Sequence, residues 1–118
     1  MKEKVFLNGK FTPLKEAKLS PISPGFFYGW GLFETMRAYN NRIVYLEEHL
    51  KRIKQSSKLI NMRLPYSIEK LGQLIKDTVG INGLKDAYVK LTLWKSDYGT
   101  DILIMAKSYK PYSDKKYK

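Results

Sequence analysis

The chain has 118 residues, 43% of them apolar, which suits one domain with a modest core and argues against a disordered chain. Its 22 basic and 11 acidic residues give a net charge of +11. The absence of cysteine excludes disulfides and thiolate sites, and a lone His49 cannot build a zinc site, so no metal site is expected.

No apolar run approaches the ~20 residues of a membrane span. The start, Met1-Lys2-Glu3-Lys4-Val5, lacks the apolar stretch of a signal peptide. The expectation is a cytoplasmic protein without a membrane partner. The lysines are scattered apart from a tail cluster, Lys107, Lys110, Lys115, Lys116 and Lys118, interleaved with Tyr109, Tyr112 and Tyr117. Such a tail can stack on and neutralise nucleic acid, or form a solvated face or a disordered end. A diffuse positive field equally favours small anionic ligands. The scatter elsewhere disfavours nucleic acid.

In chain order, Val5-Phe6-Leu7 and Lys10-Phe11 flank Asn8-Gly9, the signature of a hairpin with a tight turn. Pro13 to Pro24 reads as a connection. Phe26-Phe27-Tyr28-Gly29-Trp30-Gly31 is aromatic and broken by two glycines, where backbone bends or something approaches closely. A strand follows over Leu32–Tyr39, with Leu32, Glu34, Met36 and Ala38 on one face and Phe33, Thr35, Arg37 and Tyr39 on the other. Asn40-Asn41 suits a turn, and Ile43-Val44-Tyr45 returns.

Two helices are then predicted. The first, Leu46–Asn61, has a core stripe of Leu46, Leu50, Ile53, Ser57 and Ile60, with His49, Arg52 and Ser56 on an adjoining face. The second is capped by Ser67 and runs to Val79 on Ile68, Leu71, Leu74, Ile75 and Val79. Asn82-Gly83 closes it. Ala87–Trp94 alternates, setting Ala87, Val89, Leu91 and Leu93 against Tyr88, Lys90, Thr92 and Trp94. Ile102–Ala106 is apolar on both faces and predicts a central strand. The fold class is α+β, an antiparallel sheet with two helices packed on one side.

Two strand faces carry polar groups that no core requires: Phe33, Thr35 and Arg37, and Tyr88, Lys90 and Thr92. If adjacent, they make a sheet face of cations, hydroxyls and aromatics, either solvated or built for binding. Arg52 can fork onto a phosphate or carboxylate, or pair with Glu48 one turn back. His49 reads as a packed, hydrogen-bonded histidine. Phosphate loops of the P-loop type, nucleophile elbows and carboxylate pairs for acid–base work are missing.

The run Tyr28-Gly29-Trp30-Gly31-Leu32-Phe33-Glu34-Thr35-Met36-Arg37, followed by His49-Leu50-Lys51-Arg52 and Ser56, resembles the class IV aminotransferases, fold-type IV pyridoxal-phosphate enzymes. The likeness is collinear from about Phe6 to Lys107. It implies the N-terminal domain of the D-amino-acid aminotransferase-like fold over 1–108, an interdomain linker or tail over 109–118, and a C-terminal catalytic domain that these residues do not include. It further implies pyridoxal 5′-phosphate as cofactor of the intact enzyme, a small anionic substrate, and a homodimer or other self-association.

Residue by residue, the resemblance assigns Arg52 to the cofactor phosphate. It assigns Tyr28, Phe33, Thr35, Arg37, Tyr88 and Lys90 to substrate binding. Thr35 and Lys90 resemble the aminodeoxychorismate lyases, which form 4-aminobenzoate for folate biosynthesis. Branched-chain and D-amino-acid aminotransferases are the alternative, and a stand-alone basic binding module is the reading outside the family. Ser23-Pro24 and Trp30 depart from the family pattern. No catalytic residue is assigned: the Schiff-base lysine belongs to the second domain, so the expectation is a chain that binds no cofactor firmly and is inactive alone.

Overall fold

A computed structural model describes residues 3–108. The expected tail, with its lysines and tyrosines beyond Ser108, lies outside the described residues. Strands β1 (Lys4–Leu7) and β2 (Lys10–Pro13) form the first hairpin. Asn8 and Gly9 take φ of 44° and 95°, the left-handed pair that lets two residues reverse a twisted ribbon. Helix α1 (Pro24–Tyr28) precedes β3 (Gly31–Tyr39) and the two-residue β4 (Arg42–Ile43). Helices α2 (Leu46–Leu59) and α3 (Ile68–Ile81) follow, then β5 (Ala87–Ser96) and β6 (Gly99–Ser108).

All pairings are antiparallel, and the sheet order is β2-β1-β6-β5-β3-β4. β6 therefore lies inside the sheet, as its apolar sequence requires. One face carries Met36, Ala38, Val89, Leu91, Leu93, Ile102, Ile104 and Ala106, all buried. Against it pack Leu50 and Ile53 of α2 and Leu71, Leu74, Ile75 and Val79 of α3. The stripes repeat at helical spacing, so each helix buries one side and leaves its charges in water. Ser67 caps α3 by accepting the Lys70 amide at 3.1 Å. Beyond its end, Asn82 bonds both the amide and the carbonyl of Lys4, tying the helix to the sheet.

Three local expectations are corrected. The return after Asn40-Asn41 is only two residues long, because Tyr45 turns left-handed (φ 56°) to start α2. Pro24 does not close a bare connection: it is the first residue of α1, where proline lacks nothing a helix start needs. Ser23 caps that helix, accepting the Phe26 amide at 3.4 Å. Gly29, at φ 64°, ends it. Finally, α1 lies on the opposite face of the sheet from α2 and α3. Gly25 rests on Trp94 so closely that a Cβ there would sit 2.6 Å from the Trp94 Cβ.

Candidate functional site

The face of the sheet away from α2 and α3 is built by register. Phe33 pairs with Thr92, Thr35 with Lys90 and Arg37 with Tyr88 across β3 and β5. On the other side of β5, Thr92 faces Leu103, Lys90 faces Met105 and Tyr88 faces Lys107. Nine side chains thus form three rows holding Arg37, Lys90 and Lys107 and no carboxylate. The Lys90 ammonium stands 4.6 Å over the Phe33 ring, and the Arg37 guanidinium lies 5.5 Å from Tyr88 and 5.9 Å from Tyr39. A cavity of about 370 Å³ opens among Thr35, Tyr88, Lys90, Met105 and Lys107. Such a surface can hold a small anion against aromatic walls.

At the other end of this face α1 covers the sheet. Trp94 is only 9% exposed, buried under Gly25, although the strand alternation sets it on the same face as Tyr88, Lys90 and Thr92. Phe33 (62%) and Tyr28 (80%) are exposed. Tyr28 ends α1 beside Phe27, ring centroids 6.0 Å apart, off the rows of the sheet. Trp30 is a structural staple: its indole N–H donates to the Ile60 carbonyl at 2.9 Å, joining the entry of β3 to the end of α2.

Arg52 lies on the helix side and does not join the nine-residue face. Glu48 is not its partner. Its Nε donates to Glu34 Oε2 at 2.8 Å and its Nη2 to Oε1 at 2.9 Å, a two-point fork. His49 Nδ1 stands 2.6 Å from the same Oε1. An ionised carboxylate only accepts, so the proton in that contact is on Nδ1. The Nη2 to Nδ1 approach of 3.2 Å is then two donors sharing one acceptor. The Arg52 fork, chiefly, and His49 hold the Glu34 carboxyl below the ordinary carboxylate range, although burial pulls it upward. Glu34 in turn raises Arg52.

Glu34 was passed over in the sequence, though it left a signal. It is a carboxylate on the core-facing side of an alternating strand, and it is 8% exposed. A buried acid demands a partner. Met105 and Lys107 were also missed; the alternation of β6 from Leu103 through Met105 to Lys107 puts them on the polar face.

The model for the family described as amino-transferase class IV matches residues 31–118. The chain belongs to the class IV aminotransferases. A Methanocaldococcus jannaschii class IV relative with a provisional branched-chain-amino-acid aminotransferase name is 37% identical over 100 residues, 83% of this chain and 35% of that protein. The D-alanine aminotransferase of Staphylococcus aureus N315 is 36% identical over 92 residues, 76% of this chain and 33% of the relative. The chain thus spans about a third of the length of the curated relatives it matches.

Among solved class IV structures, the T.th. branched-chain amino acid aminotransferase with pyridoxamine 5′-phosphate superposes with a TM-score of 0.88 at 28% identity. The alignment covers 98% of this chain and 43% of that one. The Thermoproteus uzoniensis branched-chain aminotransferase with norvaline gives 0.85 at 30% identity, covering 97% and 43%. The α+β fold expected for a class IV N-terminal region is therefore present. For a class IV cofactor, the donor chemistry at Arg52 fits a phosphate. Its Nη1 has no partner among the described residues, while Nε and Nη2 are engaged by Glu34.

Proposed function

We propose that this chain forms the N-terminal part of a pyridoxal-phosphate aminotransferase acting on amino acids and 2-oxo acids. The observation that carries the reading is a sheet face whose nine side chains include three cations and no carboxylate, with a cavity opening beside Lys90. Lys90, with Thr35 and Tyr88 beside it, binds a substrate carboxylate. Phe33, under the Lys90 ammonium, supplies apolar wall, and Arg37 holds Tyr88 in place through a 3.5 Å contact to its hydroxyl. Arg52 presents Nη1 to the cofactor phosphate. When bound, the cofactor supplies the electron sink for chemistry at the amino-acid α-carbon. Nothing in residues 3–108 is assigned as its covalent anchor.

The names of the relatives, branched-chain and D-alanine aminotransferases, support this choice. The likeness of Thr35 and Lys90 to the aminodeoxychorismate lyases favours a second reading, in which the same cationic face takes a non-aromatic cyclic carboxylate and releases an aromatic one. A small anionic substrate suits both, and self-association follows from the exposed Phe26, Phe27, Tyr28 and Phe33.

The test is a nuclear magnetic resonance titration of the labelled chain with pyridoxamine 5′-phosphate, which carries no aldehyde to react with the lysines. Shifts at Arg52 are expected with it and not with pyridoxamine. A branched-chain 2-oxo acid is expected to move Thr35 and Lys90. If 4-aminobenzoate moves them and the 2-oxo acid does not, the lyase reading replaces the first. If none of these ligands moves either site, both fail.

A further inference from the structure

The Glu34 fork decides which edge of the Arg52 guanidinium an anion can reach. A guanidinium has two edges that offer paired N–H groups: the Nε–Nη2 side and the Nη1–Nη2 end. Glu34 occupies the first with both its oxygens, at 2.8 and 2.9 Å. His49 closes over the same carboxylate at 2.6 Å and crowds Nη2 at 3.2 Å. Only Nη1 carries both its N–H groups without a partner among the described residues. The carboxylate, 8% exposed and bonded by two side chains, cannot swing away without losing its hydrogen bonds inside the fold.

We infer that Glu34 is a positioning residue for Arg52, forcing a phosphate to bind through Nη1 and denying it the two-point Nε–Nη2 clamp. The inference rests on the reading of Arg52 as a phosphate contact. It has a consequence for strength as well as direction. An arginine free of carboxylate would grip phosphate in fork geometry with its full charge. Here the anion meets one terminal nitrogen of a cation already paired with a negative group, so part of the attraction is cancelled. The arrangement gives up affinity and gains a fixed direction, because the arginine no longer swings among rotamers. His49 keeps the carboxylate in place by donating to Oε1 beside Arg52 Nη2.

The test follows the arginine side-chain resonances of the full 118-residue chain during titration with inorganic phosphate, with chloride at matched ionic strength as control. In the unsubstituted chain, the Arg52 Nη1 signal is expected to move while Nε–H stays at its carboxylate-bonded position. In Glu34→Ala, Nε–H is expected to follow the phosphate, and phosphate affinity to rise about threefold or more as the fork and charge are released. Glu34→Gln, which keeps the shape and one accepting oxygen, should fall between.

Nε–H moving with phosphate in the unsubstituted chain as far as Nη1 overturns the inference. So does a Glu34→Ala affinity equal to or below that of the unsubstituted chain with its fold intact. If the substituted chains do not fold, the comparison of Nε with Nη1 in the unsubstituted chain decides alone. No shift at any Arg52 nitrogen sinks the phosphate reading beneath it; Arg52 shifting at Nη1 and Nε together leaves that reading standing and removes only the role of Glu34.

Discussion

Replacing Glu34 by glutamine should destabilise the chain at neutral pH and hardly at all in acid. Glutamine keeps the shape, so no cavity opens, and the change removes one negative charge. In the folded chain that charge accepts two bonds from Arg52 and one from His49. Hydrogen bonds to charged groups contribute roughly 1.5–3 kcal/mol. The Arg52 side chain is 63% exposed, so solvent screens its share and the lower part of the range applies. Counting the amide as a poorer acceptor rather than a missing one, the net loss is about 1–2 kcal/mol at pH 7.

The sign with pH follows from the lowered Glu34 carboxyl. A carboxyl whose folded pKa is depressed stabilises above its unfolded value of about 4.3 and loses that contribution as pH falls through the folded value. Urea unfolding of both chains at pH 7 and near pH 3 measures this directly. The gap should shrink steadily below about pH 4, because a protonated glutamic acid and a glutamine are nearly the same neutral group. Equal stabilities at pH 7, or a gap that persists undiminished in acid, would refute the reasoning.

Gly25→Ala should cost about 1–3 kcal/mol by overpacking, since the new Cβ meets Trp94 Cβ at 2.6 Å and the Lys95 carbonyl at 2.9 Å. Thermal melts read the loss, and Trp94 emission in a Trp30→Phe background should shift red as α1 lifts; unchanged emission and melting would contradict the packing described. Trp30→Phe by itself removes the bond to the Ile60 carbonyl and should cost roughly 1 kcal/mol, read as faster hydrogen exchange at the end of α2. The 118-residue chain incubated with pyridoxal 5′-phosphate should retain no adduct after dialysis. A borohydride-reducible adduct on one specific lysine would overturn that expectation. Sedimentation should show association that weakens when Phe27 and Phe33 are replaced by serine; a strictly monomeric chain at high concentration would count against it.

Much of this molecule was legible locally. Asn8-Gly9 and Asn40-Asn41 are turns because their residues tolerate positive φ, and all four adopt it. The alternation in Leu32–Tyr39 and Ala87–Trp94 assigns each side chain to a face once the backbone is extended. The stripes of α2 and α3 likewise name the core. The family signature could be read from two linked motifs, and the match over residues 31–118 upholds it.

What the sequence could not determine by itself is what lies across a gap in the chain. Glu34 and Arg52 are 18 residues apart, and only the packing of α2 beside β3 turns a buried acid and a surface arginine into one fork. The local alternative, Glu48 one helical turn from Arg52, has no such geometry and loses. Trp94 shares the polar face of its strand, yet α1 returns over it from far earlier in the chain. Lys107 joins Lys90 only through the register of β5 with β6. Periodicity reports which way a side chain points relative to its own backbone. Which neighbour it meets is set by chain closure and burial, and these exist only in the folded chain.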